Sequence, residues 1–273
     1  MIRKDLEEVG AELKKIGFPW GMVSNGWALT EERFRSLREA GLRSVTISLD
    51  GLKENHDWLR GREGSFERAV DAVKVLAAEE GMTYDVVTCV NQRNIGELNE
   101  VKKLLVDIGV KRWRLFSIDP IGRAATNEEL LLTSAQFKYM MDFIVQNRAE
   151  GIIKAAFGCD GLLGFYEGLV REGLFFCRAG VHVGSVLANG DIGACPNINR
   201  GYVQGNIYKD DFLDVWHNKF KEYRDRKPFK TGICKDCDLW KWCRSEGMHL
   251  HEPGNPDPLL CNYRKLHPDH GLK

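Results

Sequence analysis

The sequence has no excess of either charge. Its 273 residues carry 39 Lys and Arg against 39 Asp and Glu, for a formal net charge of zero. That balance argues against non-specific nucleic-acid binding and polybasic membrane attachment. Long apolar runs are missing too, and nothing approaches the roughly 18 residues of a membrane span. At the start, MIRKDLEEVG places acids where a secretory signal needs an apolar stretch, so the expected compartment is the cytosol. Cysteine is nearly absent from the first 158 residues, where Cys89 stands alone in an apolar stretch and reads as a buried thiol. The other seven lie between Cys159 and Cys261. Eight are too few for a disulfide scaffold. Clustered in a cytosolic chain, they point to metal instead. What is present, 43% hydrophobic with 29% charged residues, argues against disorder. The length suits one large domain or two smaller ones.

The first half repeats a strand-then-helix rhythm. Residues 20–24, 44–49, 84–90 and 113–117 read as strands, and Val45, Ile47, Val86, Val87 and Val90 give them the character of buried parallel strands. A helix with Leu6, Val9, Leu13 and Ile16 on one face opens the chain. Thr30 caps the next, with Glu31 and Glu32 in its first turn. Another carries Phe66, Ala69, Val70, Val73 and Leu76. Asn94 and Glu97 read as a capping-box pair, as do Thr133 and Gln136 before Phe137 and Met140. Repeated β-α units require a parallel sheet, doubly wound or closed into a barrel. Near Gly151 glycines, aromatics and cysteines replace the periodic helices, which divides the chain into 1–150 and 151–273. Asn189-Gly190 reads as a hairpin turn between 181–187 and 192–195. Phe212, Val215, Trp216, Phe220 and Tyr223 mark one more amphipathic helix.

The strongest chemical signal is Cys234-x2-Cys237-x5-Cys243, with Cys261 further on. Four thiolates at this spacing surround one metal centre, either zinc or an iron–sulfur cluster. The surrounding loop has too few apolar residues to order itself otherwise. Their sulfurs are expected to converge even without metal. Upstream, Cys177 is followed by twelve residues, Gly190, four more residues and Cys195.

Together these spacings resemble the SPASM domain that follows many radical S-adenosylmethionine (SAM) barrels. The resemblance turns the metal expectation towards iron–sulfur. SNG at 24–26, SVTISLDG at 44–51, HDWLRGREGSFERA at 56–69 and DPIGRA at 119–124 resemble the middle of such a barrel. More narrowly, VVTCVNQRN, WRLFSIDPIGRAA and QGNIYKDDFLDVW are similar to the radical SAM/SPASM group paired with lipoproteins. The fold so implied is α/β: an open, partial TIM-type barrel of parallel strands over 1–150, then a loop-rich SPASM domain. Two departures stand out. Gly247 sits where the family has a cysteine of its first auxiliary cluster, and neither CxxxCxxC nor GGEP occurs. The expectation is a chain lacking its N-terminal portion and inactive alone; a pseudoenzyme is the rival account.

The resemblance implies a maturase that cleaves SAM, abstracts hydrogen from a peptide or protein substrate, and draws on a flavodoxin- or ferredoxin-type reductant. Cys234, Cys237, Cys243 and Cys261 would hold one [4Fe–4S] cluster. Cys177 and Cys195, with Cys159 as a candidate replacement ligand, would form a second, incomplete site. Asn25, Ser48, Asp50 and Asn91 lie at the C-terminal ends of the expected strands, where barrel sites are built, and with Arg123 would line the SAM pocket. Capping and turn roles are the plainer reading for Asn25, Asp50 and Asn91, and a surface cation for Arg123. His182, His249 and His251 are further ligand candidates, although a solvated histidine is commoner. Asp160 and Asp191 are candidate proton acceptors, and no general base can be named. The alternative function is a non-catalytic four-cysteine metal module with a binding role.

Overall fold

The computed structural model describes residues 3–158 and 161–268. Cys159 and Asp160 therefore lie outside the described residues. The chain forms two compact units, Met1–Ile118 with Thr126–Gly158, and Asp119–Ala125 with Cys159–Lys273.

The first unit is an open sheet of five parallel strands in sequence order: β1 (Trp20–Ser24), β2 (Leu42–Ser48), β3 (Thr83–Val90), β4 (Arg112–Ser117) and β5 (Lys154–Phe157). Among the described residues no strand pairs with the outer edge of β1 or β5, so the sheet is not closed into a barrel. Four strands were legible in the sequence. The fifth, Lys-Ala-Ala-Phe, has no β-branched residue and only four positions, so its pattern carries no strand signal.

Helix α1 (Leu6–Lys15) precedes β1, and α2 (Glu31–Glu39), α3 (Lys53–Arg60), α4 (Ser65–Ala77), α5 (Leu98–Ile108) and α6 (Ser134–Glu150) connect the strands. Thr30 Oγ1 accepts from Arg33 N–H at 3.1 Å, and Thr133 and Gln136 form the expected capping box. Gly151, at φ 71°, ends α6 in the left-handed conformation that glycine adopts freely. The box expected from Asn94 and Glu97 does not form. Asn94 instead bridges the carbonyls of Asp50 and Cys89 at 2.9 Å each, and Glu97 accepts from Leu52 N–H and Asn55. Tertiary hydrogen bonds captured both side chains, and a 3-10 turn at Ile95–Glu97 leads into α5. The stripe on α1 is also less buried than its pattern implies: only Gly10 is buried, and Ile16 is 63% exposed.

Strand β2 shows how the sheet divides its faces. Val45 and Ile47 are buried, whereas Thr46 and Ser48 are half-buried. In register across β2 and β3, Thr46 Oγ1 donates to Asp85 Oδ1 at 2.6 Å. Arg114 on β4 pairs with Asp85 and donates to Thr46 Oγ1 at 3.2 Å. On the other face Trp113 is fully buried; its indole N–H donates to Thr88 Oγ1 at 2.8 Å, and its ring meets Phe143 edge-on at 5.8 Å.

The second unit has little regular structure. Strands β6 (Ser185–Val186), β7 (Asp191–Gly193) and β8 (Gly205–Asn206) form a small antiparallel sheet around the expected hairpin. Gly190 makes the turn at φ 87°, and a Cβ there would meet the Tyr208 ring at 2.5 Å. The amphipathic helix is broken into α7 (Phe212–Asp214), a π-turn at Val215–Lys219 and α8 (Lys221–Arg224). It nonetheless buries Val215, Phe220 and Tyr223 against Ile192, Ala194 and Met248. Among the described residues, no helix is long and apolar enough to cross a membrane.

Candidate functional site

Four cysteines line one small cavity. Cys234, Cys237, Cys243 and Cys261 share its wall with Leu162, Trp240 and Glu246. A 3-10 turn at Gly232–Cys234 and one helical turn at Trp240–Cys243 bring the first three around it. Asp257 pins the first turn by accepting from Ile233 N–H at 2.6 Å. Cys261 stands at the N-terminus of a short helix, Asn262–Leu266. Among the described residues, no three His, Cys, Asp or Glu side chains are grouped so as to hold one metal ion. The thiols surround a space instead. A zinc ion needs its thiolates at about 2.3 Å, whereas in an iron–sulfur cluster each thiolate binds its own iron of a larger body.

The backbone past Cys243 is unusual. Arg244, Ser245 and Glu246 are all left-handed, with φ of 52°, 67° and 58°. Each such L-residue costs roughly 1–2 kcal/mol. The turn aims donors at sulfur: Glu246 N–H donates to Cys243 Sγ at 3.2 Å, and Ser245 Oγ lies 3.3 Å from Cys234 Sγ. Burial pushes the Cys261 thiol up to about 12 and raises Cys243 and Cys234, with Glu246 adding to each. Those thiols must shed protons to bind metal, so binding is proton-linked. Glu246 is 2% exposed, and burial pushes its carboxyl up to about 7. It accepts from Asn262 N–H at 3.1 Å and from the Asn262 amide at 3.3 Å.

Cys177 and Cys195 pack together against the core of the second unit, and burial raises the Cys195 thiol. Cys159 lies outside the described residues. Position 247 is filled by a neighbour: a Cβ on Gly247 would come within 2.5 Å of the His249 ring. That ring's Nε2 is 3.1 Å from Asp119 Oδ2. His251 is 1% exposed, its Nε2 is 2.6 Å from Ser245 O, and burial pushes its pKa down to about 4. His182 is exposed beside Phe176. Asp191 is held below the usual carboxylate range by hydrogen bonds from Asn189 and Asn206 in the hairpin.

The strand-end residues separate into two groups. Asp50 and Asn91 are buried and serve the chain itself. Asp50 accepts from Cys89 N–H at 2.8 Å and pairs with Arg60, and its N–H donates to His56 Nδ1 at 2.9 Å. Asn91 Oδ1 accepts from Arg93 N–H at 2.9 Å in a turn. Asn25, exposed past β1, accepts from Trp27 N–H at 3.2 Å. Ser48 is the half-buried end of β2. Arg123 is exposed and belongs to the second unit. His56, Arg60 and Glu246 were missed as site-shaping residues; an isolated His, Arg or Glu gives no periodic signal, and only the fold brings the first two to Asp50 and, separately, Glu246 to Cys243 and Asn262.

Two family models match this chain. The radical SAM superfamily model covers residues 1–105, and the iron–sulfur cluster-binding SPASM domain covers 177–238. The chain is a radical SAM/SPASM-domain protein. Cys177, Cys195, Cys234 and Cys237 fall inside the SPASM match. An AdoMet-dependent heme synthase of Oleidesulfovibrio alaskensis is 25% identical over 97% of this chain and 72% of its own length. The mycofactocin maturase MftC of Mycobacterium tuberculosis is 30% identical over 89% of this chain and 66% of its own. The fold also matches that of Streptococcus suis SuiB, with a TM-score of 0.70 at 17% identity over 95% of this chain. The chain spans 62% of SuiB, a protein also crystallised with S-adenosylmethionine and with its precursor peptide SuiA.

Proposed function

We propose that this chain acts in radical SAM modification of a peptide or protein, with Cys234, Cys237, Cys243 and Cys261 holding one auxiliary [4Fe–4S] cluster. The single observation that carries the reading is the four-cysteine cavity, which lies in the unit matched by an iron–sulfur domain. When bound, the cluster would supply one-electron transfer, its four irons each being held by one of the four thiolates. The chain's own residues orient it: Glu246 N–H and the Ser245 hydroxyl address two of the sulfurs, and the apolar wall of Leu162 and Trp240 limits water. Cys177 and Cys195, with Cys159, make an incomplete second site. Asn25 and Ser48 contact SAM at the strand ends of the first unit, while Asp50 and Asn91 shape the turns beside it. The sheet domain occupies 1–150 and the iron–sulfur domain 151–273. A low-potential flavodoxin or ferredoxin is the reductant, and the chain works in the cytosol.

These 273 residues hold neither CxxxCxxC nor GGEP, so alone they leave SAM intact. Deoxyadenosine formed by the reconstituted chain under strong reductant would defeat that part. Anaerobic reconstitution with iron and sulfide, then iron counting and Mössbauer spectroscopy, tests the cluster. One tightly held zinc and no iron uptake would leave the alternative, a non-catalytic four-cysteine module. The likeness to the heme synthase, which spans more of this chain than that to MftC, supports a second reading with a tetrapyrrole substrate. A saturable Soret shift on titration with an iron porphyrin would favour it over a peptide.

A further inference from the structure

Arg226 is a buried cation without an anion. It is 9% exposed, and among the described residues no carboxylate pairs with it. Its guanidinium is held by backbone instead. Nε donates to Arg244 O at 3.3 Å, and one terminal nitrogen donates to Ser245 O at 3.1 Å and Glu246 O at 3.0 Å. The other terminal nitrogen is buried with no hydrogen-bond partner. Phe229 covers the group at 4.8 Å. The groups near it whose ionised forms would favour its charge are Cys177, Cys243, Tyr202 and Cys234.

Burying an unpaired charge costs several kcal/mol, and carbonyl dipoles alone are a poor replacement for a counter-charge. Arginine does not escape by deprotonating. The site therefore calls for an anion. A [4Fe–4S] cluster on four thiolates is one: it carries net negative charge, and reduction adds one more. The left-handed run explains the geometry. Three consecutive carbonyls turn towards Arg226, while the Glu246 N–H and the Ser245 hydroxyl of the same run turn towards the sulfurs of Cys243 and Cys234. The strain of the run is sustained by both ends at once.

We propose that Arg226 is the charge-compensating residue of the cluster held by Cys234, Cys237, Cys243 and Cys261, and that it raises that cluster's reduction potential. It acts as a positioning and tuning residue through space and through the loop 244–246. This rests on the cluster reading above. One electron from an external low-potential donor reduces the cluster, and the guanidinium stabilises the added charge without moving a proton.

The test is an EPR-monitored redox titration of the anaerobically reconstituted chain, with Cys195→Ala present so that only the complete site is read. Arg226→Gln should keep its iron and titrate at least tenfold less favourably, a fall of about 59 mV or more for one electron. Arg226→Lys, which restores charge without the planar fork, should recover most of that shift. Full iron in Arg226→Gln with an unchanged potential overturns the proposal. If Arg226→Gln takes up no iron, Arg226→Lys decides. Iron bound near the parent potential supports a need for charge, and loss of iron there too reduces Arg226 to a structural brace. Failure of the parent chain itself to bind iron would instead defeat the cluster reading.

Discussion

The sheet unit and the cysteine-rich unit reach order by opposite means. In the first, apolar burial does the work: Trp113, Phe137, Leu76 and Ile47 are fully buried, and Thr30 and Thr133 cap α2 and α6. In the second, short turns, side-chain hydrogen bonds and a left-handed run surround four thiols. The lesson is that regular elements order themselves by periodic apolar burial, whereas the loops around the thiols rely on specific hydrogen bonds and left-handed backbone beside a small apolar core.

The largest expected effect breaks the second unit and spares the first. Cys237→Ala should remove about four irons per chain if its site holds a [4Fe–4S] cluster. Hydrogen exchange should then rise through 227–266 while β2–β4 stay protected. Uniform exchange through both units would erase the contrast. The converse is Trp113→Ala, which should destabilise the sheet unit by about 3–5 kcal/mol in urea unfolding without lowering iron content.

A smaller effect separates the units by pH. His251 has its pKa pushed down from 6.5 to about 4 by burial. A depressed folded pKa means stability that is present above the unfolded value and lost as pH falls through the folded one. His251 should thus contribute a weakening of the cysteine-rich unit between pH 6.5 and about 4, by roughly 3 kcal/mol at most, while Glu246, its carboxyl pushed up to about 7, contributes in the opposite sense. His251→Gln should remove the first contribution, so that the variant gains stability relative to the parent as pH falls in fluorescence-monitored urea melts. The smallest effect is in the sheet unit: Thr133→Ala, which opens the capping box of α6, should cost about 1 kcal/mol. A change below about 0.3 kcal/mol would mean that the box adds nothing beyond α6 packing.

Legibility followed the same divide. Strands β1 to β4 and the helices α1, α2, α4, α5 and α6 could be read because periodicity of 2 or 3.6 is a local property of the chain. The four-cysteine set was readable by spacing alone. Helix α3 passed unread, since its KENHDWLR pattern carries little apolar periodicity. So did β5, for want of β-branched residues. Asn94 and Glu97 had the right spacing for a cap but found stronger partners across the sheet.

Sequence by itself determined the parallel α/β class, the hairpin at Gly190, the cysteine count and the family resemblance. Each depends on residue type at short separation, which the chain cannot hide. Only the tertiary structure decided that Asp50 is spent on Cys89 and Arg60, that His249 fills the space beside Gly247, and that Arg226 lies buried under the loop 244–246. These are meetings of residues far apart in the chain or bent together by left-handed backbone. No pattern along the sequence encodes them, because their energies come from burial and from partners that folding alone supplies.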